Sequence, residues 1–446
     1  MIENRSVVAR TPSHTLALDC VEAGIEAAHP QSVVDRTLAR SGSTLVIDDH
    51  EYDLDAYDDV LVVGGGNAAG WLATALESRL GDHVDGGAVV TDDPAPTRRI
   101  DVLPGDHPIP SERGVASARR VLEVAERAGT NDLILGCLTG GGSALLPAPA
   151  ADVILADLQN VTEALLESGA TIDEINAVRK HCSAIKGGRL AHSAAPATVV
   201  VLVISDVIGD DLGTIASGPF APDPTTYNDA RSVLDRYGID PPDAVESRLE
   251  RGIRGEIEET PTADDPAFDR VRTHVLANGR TALSAASTVA ADRGYEPLIL
   301  STSVRGEAAE SATTHVAIAE ESRTTGTPIE PPAVVLSGGE TTVNLVDDHG
   351  IGGPNGEFAL SAAIELETGP LDGDGIVVAA VDTDGIDGPS GVAGAIVDAD
   401  TVEVDEARRA LGRNDALPTL RAANATIETG RTGTNVNDLR VIVIDR

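Results

Sequence analysis

Apolar and polar positions alternate along this chain in blocks that predict an α/β protein. Short runs rich in valine, isoleucine and leucine, typical of buried strands, cover residues 60–63, 88–91, 132–138 and 198–204. Between them, amphipathic stretches with helical spacing cover residues 68–80, 111–127 and 152–167. Such strands, separated by helices, indicate a mostly parallel sheet that is covered on both faces.

A second alternating block follows a segment rich in proline and acidic residues at 241–266. It predicts strands at 273–276, 297–300, 334–336, 375–381 and 439–444, and helices at 281–292, 307–321 and 358–367. We therefore expect two α/β domains, residues 1–245 with a sheet that starts near residue 58, and residues 271–446, joined by a connector at 246–270. The second domain is expected to be partly inserted into the first through the helical N-terminal region.

The net charge indicates the environment in which the protein works and the partners it can have. The 446 residues include 72 acidic and 33 basic ones, a net charge of −39, and the acids are spread along the chain rather than collected in a tail. This is typical of a halophilic protein, whose self-repulsion is screened in a salt-rich cytoplasm. It argues against nucleic acid or anionic membrane as a partner. No secretion signal and no apolar run of about 20 residues is found, so a cytoplasmic protein is expected.

Two glycine-rich loops follow predicted strands, where open α/β sheets bind their ligands. They are GGGNAAG at 64–70 and LTGGGSALL at 138–146. Successive N–H groups in such loops form nests for phosphate or carboxylate. The candidate anion-binding residues are Gly64, Gly65, Gly66, Gly140, Gly141, Gly142 and Ser143. Taken alone, the first loop also fits a dinucleotide-binding loop, which leaves an NAD(P)-dependent reductase as an alternative.

The chain contains only two lysines, and both lie in the segment INAVRKHCSAIKGGRLA at 175–191. Arg179 and Lys186 are seven residues apart, which places them on one face of a helix. Because lysine is otherwise absent, we infer that at least one ammonium is kept as a compact charge, for instance on a phosphate.

Acidic residues also follow the ends of buried strands. Asp206 and Asp211 lie in the loop after the strand at 198–204, and oxygen ligands of this kind suit Mg²⁺ held together with substrate phosphates. Asp206 is equally well placed for a general base. In the second block, Asp382 and Glu340 close two further strands. The three cysteines have neither metal-site nor disulfide spacing.

Together, these loops resemble the type II glycerate kinases that carry a C-terminal MOFRL domain. The matching blocks run through nearly the whole chain and include LTGGGSALL, INAVRKHCSAIKGGRLA, SDVIGDDLGTIASGPFAPDPTT, LSGGETTVNL and VDTDGIDGPSG. The resemblance implies ATP- and Mg²⁺-dependent phosphorylation of D-glycerate, usually to 2-phosphoglycerate. It also implies a Rossmann-like N-terminal domain, a smaller C-terminal α/β domain and an active site in the cleft between them.

The resemblance also implies which residues act in catalysis and ligand binding. The catalytic candidates are Asn67, Lys186, Asp206, Arg179 and Asp382, with Asp206 and Asp211 as Mg²⁺ ligands. Besides the two glycine loops, candidate contacts to nucleotide or glycerate are Ser217, Gly218, Glu340, Asn344, Asn355, Thr434, Asn435 and Asn437. ATP and D-glycerate are the expected partners, and a homodimer is the default expectation for the assembly.

Four positions depart from the family pattern. Asn67 stands where the family has a lysine regarded as catalytic, and Pro354 and Gly356 replace an arginine and a glutamine in the family's GGRNQE block, while Arg431 adds a cation. Losing one transition-state donor lowers kcat by about 10² to 10³-fold. Three interpretations follow: Arg431 and Lys186 supply the charge, the enzyme uses another hydroxy acid, or it binds its ligands with weak turnover. A hydroxypyruvate reductase would need a His–Arg pair that the sequence does not offer.

Overall fold

The computed structural model describes residues 1–371 and 373–446, which form two compact units. One unit joins Met1–His29 to Ala277–Arg446, and the other is Pro30–Leu276. Across the described ranges, no helix combines the length and the apolar character that crossing a bilayer requires.

The strands, in chain order, are β1 (Leu38–Ser41), β2 (Thr44–Ile47), β3 (His50–Asp53), β4 (Val60–Gly65), β5 (Gly86–Thr91), β6 (Ile100–Pro104), β7 (Leu133–Thr139), β8 (Thr198–Ile204), β9 (Val271–Ala277), β10 (Glu296–Glu307), β11 (Ala333–Thr342), β12 (Ile376–Asp382), β13 (Gly394–Val397), β14 (Thr426–Ile427) and β15 (Asp438–Ile444). The helices are α1 (Arg5–Val8), α2 (Pro12–Ala28), α3 (Pro30–Thr37), α4 (Ala69–Leu80), α5 (Glu112–Arg127), α6 (Gly142–Leu145), α7 (Leu155–Glu167), α8 (Ile172–His181), α9 (Arg189–Ala194), α10 (Tyr227–Tyr237), α11 (Asp243–Ile253), α12 (Gly279–Asp292), α13 (Ala308–Thr325), α14 (Pro354–Thr368), α15 (Val404–Leu411) and α16 (Ala416–Ala422).

The unit Pro30–Leu276 is built on a six-stranded sheet in the order β6-β5-β4-β7-β8-β9. Strands β4 to β8 pair in parallel, which confirms the predicted parallel sheet. All seven residues of β7 are buried, as expected of a strand covered on both faces. The strand order is that of the Rossmann fold, in which ligands bind where the order reverses. That point lies between β4 and β7, and the two glycine loops follow these strands.

Two segments that were predicted to lie outside this sheet and its helices belong to the unit. The strand predicted at 273–276 is β9, at the edge of the first sheet beside β8 rather than in the second block. The predicted connector at 246–270 contains most of α11, whose Val245 and Leu249 are fully buried in a cluster with Tyr227. An amphipathic helix that buries its apolar face in this way is part of a core and not a linker.

The other unit has a mixed sheet in the order β10-β11-β15-β12-β13-β14. Strand β15 runs antiparallel between β11 and β12, so Val441 and Val443 face one layer of helices while Ile442 and Ile444 face the other. Helix α2 packs in the first of these layers, together with α12. The structure therefore groups residues 1–29 with the C-terminal block, unlike the predicted boundary at 1–245, because the apolar face of α2 is buried there.

Candidate functional site

Glycines at the end of β4 are required by the packing of strands. Gly64 and Gly66 have φ angles of 148° and 147°, a region that side chains avoid. A Cβ atom on Gly64 would lie 1.9 Å from the carbonyl oxygen of Cys137 in β7, and one on Gly66 would lie 2.1 Å from Thr139 Oγ1. The run of glycines therefore lets β4 approach β7, which weakens its interpretation as a dinucleotide loop.

Asn67 joins this loop to its neighbours. Its backbone N–H donates to the Gly140 carbonyl at 2.8 Å, and its Nδ2 donates to Asp92 Oδ1 at 3.0 Å. The Oδ1 atom is buried and accepts no hydrogen bond from any residue that the structure describes. A Cβ atom on Gly141 would lie 1.9 Å from it, and Gly141 has a φ of 72°, so glycine is favoured at that position. Asn67 thus presents a hydrogen-bond acceptor where the family has a cation.

The loop after β7 is held by a chain of hydroxyl groups. Ser143 and Ser217 hydrogen-bond through their Oγ atoms at 2.8 Å, and Ser217 Oγ donates to Asn176 Oδ1 at 2.9 Å. Ala216 and Ser217 adopt left-handed φ angles of 52° and 61°. Each such residue costs about 1–2 kcal/mol, and backbone strain of this kind is found at functional sites.

Lys186 lies beneath the same loop without an anionic partner. The prediction that it shares a helical face with Arg179 is wrong, because α8 ends at His181. Its Nζ donates to the carbonyl oxygens of Ser143 at 2.8 Å and Ala216 at 3.5 Å, and the residue is 4% exposed. Burial and, secondarily, the guanidinium of Arg179 lower the pKa of Lys186 to about 7. Burial also lowers the pKa of Arg179. Within the described ranges neither cation forms an ion pair, so no anion in that part of the chain offsets the burial of these charges.

The other lysine is structural. Lys180 Nζ lies 3.3 Å from Asp223 Oδ1, and both side chains are buried. Asp223 also accepts hydrogen bonds from the hydroxyls of Thr225 and Thr260 at 2.8 and 3.0 Å. Of the two lysines singled out by the sequence, Lys186 alone therefore has an ammonium available for a ligand.

The predicted magnesium ligands lie in the loop after β8. Asp206 comes two residues beyond that strand, and Asp211 Oδ2 accepts from Thr214 Oγ1 at 2.6 Å. Gly218, at φ 66°, ends the same loop, and its carbonyl accepts from Gly188 N–H at 2.7 Å. Over residues 1–371 and 373–446, no group of three or more histidine, cysteine or acidic side chains is arranged to hold a metal. Two carboxylates in a loop fit only an ion that keeps water or phosphate ligands, as Mg²⁺ does.

The other unit contains a carboxylate cluster, which we define as Asp382, Asp387 and Asp438 with Asn355. Asp382 ends β12 directly opposite Asp438 in β15. Asn355 Nδ2 donates to Asp438 Oδ1 at 2.7 Å and to Asp387 Oδ1 at 3.3 Å. Burial raises the pKa of Asp387 to about 7, and burial with the nearby Asp384 and Asp438 raises the pKa of Asp382 well above its usual range.

Two of the departing positions start α14. Pro354 is the first residue of that helix, where a missing N–H costs no hydrogen bond. The N–H groups of Asn355 and Gly356 donate to Asp387 at 2.9 and 2.8 Å. The Oδ1 atom of Asn355 is buried and has no partner in the described part of the chain. Asp387, from the same acidic loop as Asp382, and Asp438, which the sequence did not indicate, thus organise the cluster.

The remaining predicted residues have contacts that hold loops in place. Exposed Asn344 donates through Nδ2 to Glu307 Oε2 at 2.7 Å. Thr434 Oγ1 donates to the Ala28 carbonyl at 2.6 Å, and Asn435 Oδ1 accepts from Asn437 N–H at 2.9 Å. Two further residues, Glu340 in β11 and Arg431, are exposed.

Asn176 was also missed, although it lies in the lysine-containing segment. An asparagine on a helix gives no sequence signal of its own, because the hydroxyl that it binds comes from Ser217, 41 residues away.

Two family models match the chain. A domain of unknown function, DUF4147, matches residues 16–250, and the MOFRL family matches residues 333–438. The chain is 38% identical to a D-glycerate 2-kinase of Thermotoga maritima over 437 residues, 96% of this chain and 98% of that protein. A protein of Agrobacterium vitis provisionally named a hydroxypyruvate reductase is 42% identical over 392 residues, 86% of this chain and 87% of that protein.

Solved structures agree with the sequence relatives. The crystal structure of the Thermotoga maritima glycerate kinase has a TM-score of 0.83 and 37% identity, and covers 96% of this chain and 99% of that one. A crystal structure from Pyrococcus horikoshii has a TM-score of 0.81 and 36% identity, and covers 97% of this chain and 98% of that one. The chain therefore belongs to the glycerate kinase family in which a DUF4147 domain precedes a MOFRL domain.

Proposed function

We propose that this protein is a kinase that transfers phosphate from ATP to D-glycerate, forming 2-phosphoglycerate. The observation that carries the proposal is the buried Lys186 ammonium, which contacts the carbonyl oxygen of Ser143 and has Arg179 as its charged neighbour. Phosphoryl transfer depends on positioning and on neutralising the spreading negative charge. Two unpaired cations beside a glycine loop supply that neutralisation. The named activity of the Thermotoga maritima relative supports the same reaction.

In this proposal Lys186 binds the phosphates of ATP together with the backbone N–H groups that begin α6. Arg179 binds the carboxylate of glycerate or shares the phosphates, because a guanidinium forms paired hydrogen bonds with either group. Burial makes both contacts stronger than they would be in water, since the local dielectric constant is low.

Magnesium is proposed to be held by Asp206 and Asp211. The two carboxylates suit an ion that is otherwise ligated by water and phosphate oxygens. When bound, Mg²⁺ neutralises charge on the phosphate oxygens. A carboxylate is proposed to accept the proton of the glycerate hydroxyl, and Asp206 and Asp382 are the two candidates.

Asn67 favours a second candidate, a kinase for another hydroxy acid. Its buried Oδ1 is an acceptor without a donor in the described chain, next to Gly141. A substrate hydroxyl could fill that place, whereas a lysine would present a donor instead. The reductase alternative rests on the provisional name of the Agrobacterium vitis relative and not on the loop after β4, because Gly64 and Gly66 serve strand packing.

The test is a coupled assay of ADP release at high salt, with D-glycerate, L-glycerate and related hydroxy acids as acceptors. We expect ADP release that requires D-glycerate and Mg²⁺, with ³¹P NMR identifying the 2-phosphate. Release that favours another hydroxy acid would support the second candidate. No ADP above the ATP-only background with any acceptor would refute the kinase, and NADPH oxidation by hydroxypyruvate would instead indicate a reductase.

A further inference from the structure

The unit Pro30–Leu276 contains a cavity of about 750 Å³, and of its wall only Asp211 has a role in the proposed reaction, as a Mg²⁺ ligand. Its wall includes Asn176 and Lys180 of α8, the loop 209–214, Phe220 and Phe268. We propose that this cavity binds the nucleoside of ATP, with the base against Phe268. This inference rests on the proposed kinase function and assigns a place to the half of the nucleotide that Lys186 does not contact.

The aromatic side chains are the first argument. Only three of the 446 residues are phenylalanine, and two of them line this cavity. Phe220 is 4% exposed and belongs to the core of the parallel sheet, whereas Phe268 is half-buried in the turn Pro266–Arg270. Aromatic faces stack on nucleic-acid bases, and the volume lies within the range of about 300–1,000 Å³ that small-molecule sites occupy.

An unsatisfied amide is the second argument. Asn176 is 2% exposed, and its Oδ1 already accepts from Ser217. Its Nδ2 donates to nothing in residues 1–371 and 373–446. A buried donor without an acceptor is rare in native proteins. In the wall of this cavity it fits a ring nitrogen or a ribose oxygen.

Hydrogen bonds connect the cavity to the phosphate-binding cation. Ser217 contacts both Asn176 in the cavity wall and Ser143, and the carbonyl oxygen of Ser143 accepts from Lys186. A nucleotide with its phosphates at Lys186 therefore has its nucleoside within reach of the cavity.

The competing place for the nucleoside is beyond β5, where Rossmann proteins bind ribose with an acidic residue. Here the two acids that follow β5 are engaged by the protein. Asp92 accepts from Asn67 Nδ2 at 3.0 Å, and Asp93 accepts from Trp71 Nε1 at 2.8 Å. In the cavity, Asn176 Nδ2 has no acceptor among the described residues, so we favour the cavity as the place of the nucleoside.

The experiment compares the binding of ADP and pyrophosphate by calorimetry in the full chain. Phe268→Ala should weaken ADP binding about 10-fold or more and leave pyrophosphate binding unchanged. Tyr57→Ala, a half-buried aromatic residue of the same unit outside the cavity wall, is the matched control and should change neither affinity. Leu212→Trp, which places a large ring in the cavity, should reproduce the effect and serves if Phe268→Ala does not fold.

Unchanged ADP affinity in both cavity variants, or an equal loss for ADP and pyrophosphate, would overturn the assignment. The wild-type assay with D-glycerate separates this result from failure of the kinase proposal. ADP binding that depends on Phe268 without any turnover would keep the cavity and refute the kinase. Turnover together with ADP binding that does not depend on Phe268 would keep the kinase and refute the cavity. A wild-type protein that does not bind ADP would refute both.

Discussion

The ammonium of Lys186 lies 2.8 Å from the carbonyl oxygen of Ser143, and among the described residues it has no ion-pair partner. Lys180, near the end of α8, has the opposite environment, a buried ion pair with Asp223. A cation surrounded only by carbonyl dipoles is poorly compensated for its lost hydration. An anionic ligand supplies that compensation, so the free protein holds a charge prepared for a phosphate.

We expect the two lysines to differ when each is replaced by methionine. Lys186→Met should lower kcat/KM by about 10² to 10³-fold, with little loss of stability, because no buried anion is left behind. Lys180→Met should lower the free energy of unfolding by about 3–5 kcal/mol, because it leaves Asp223 buried and unpaired. Urea unfolding and the coupled assay on both variants test this. Equal effects on stability would contradict the distinction between them.

Anion affinity should depend on pH through Lys186. Its pKa of about 7 means that the free protein carries this charge below pH 7 and loses it above. Pyrophosphate binding measured between pH 6 and pH 9 should therefore weaken as the pH rises through this value. Lys186→Arg remains charged over the whole range and is the control, since the titration of pyrophosphate itself is common to both proteins. Identical pH profiles would show that Lys186 does not bind the phosphate.

Asn67→Lys should not increase kcat. Asn67 is fixed between Asp92 and the Gly140–Gly141 backbone, and an introduced ammonium would pair with Asp92 rather than remain available to the phosphate. We expect unchanged or reduced turnover, with Asn67→Ala as the control for loss of the amide. A rise of about 10²-fold, the size expected for restoring one donor, would instead mean that the natural enzyme is limited by the missing cation.

Asp387 should make stability depend on pH. Because its pKa is raised from 3.8 to about 7, the folded protein keeps a proton that the unfolded chain releases between these values. This contribution is present in full below about pH 4 and is lost as the pH rises to 7. Relative to Asp387→Asn, the wild type should lose up to about 1.4 kcal/mol of unfolding free energy per pH unit. Parallel stability curves from urea unfolding at pH 5 to pH 8 would contradict it.

Local pattern was sufficient for much of the fold. Parallel strands at 60–63 and 198–204 were found as β4 and β8, because a buried parallel strand needs an uninterrupted apolar run. The partner of an apolar face is not encoded locally. Helix α2 is amphipathic wherever it packs, and only the tertiary structure shows that it is buried with α12 of the C-terminal block.

For the candidate site, too, the sequence determined one part and the tertiary structure another. Composition and motif order by themselves determined the family, the glycine loops and the segment that retains both lysines. Only the tertiary structure decided that Lys180 is neutralised by Asp223 while Lys186 is not, since the partner lies 43 residues away from Lys180. It likewise decided that Gly64 serves strand packing, because the clash that excludes a side chain comes from β7. Ion pairing and close packing are properties of distance in space, which sequence spacing does not fix.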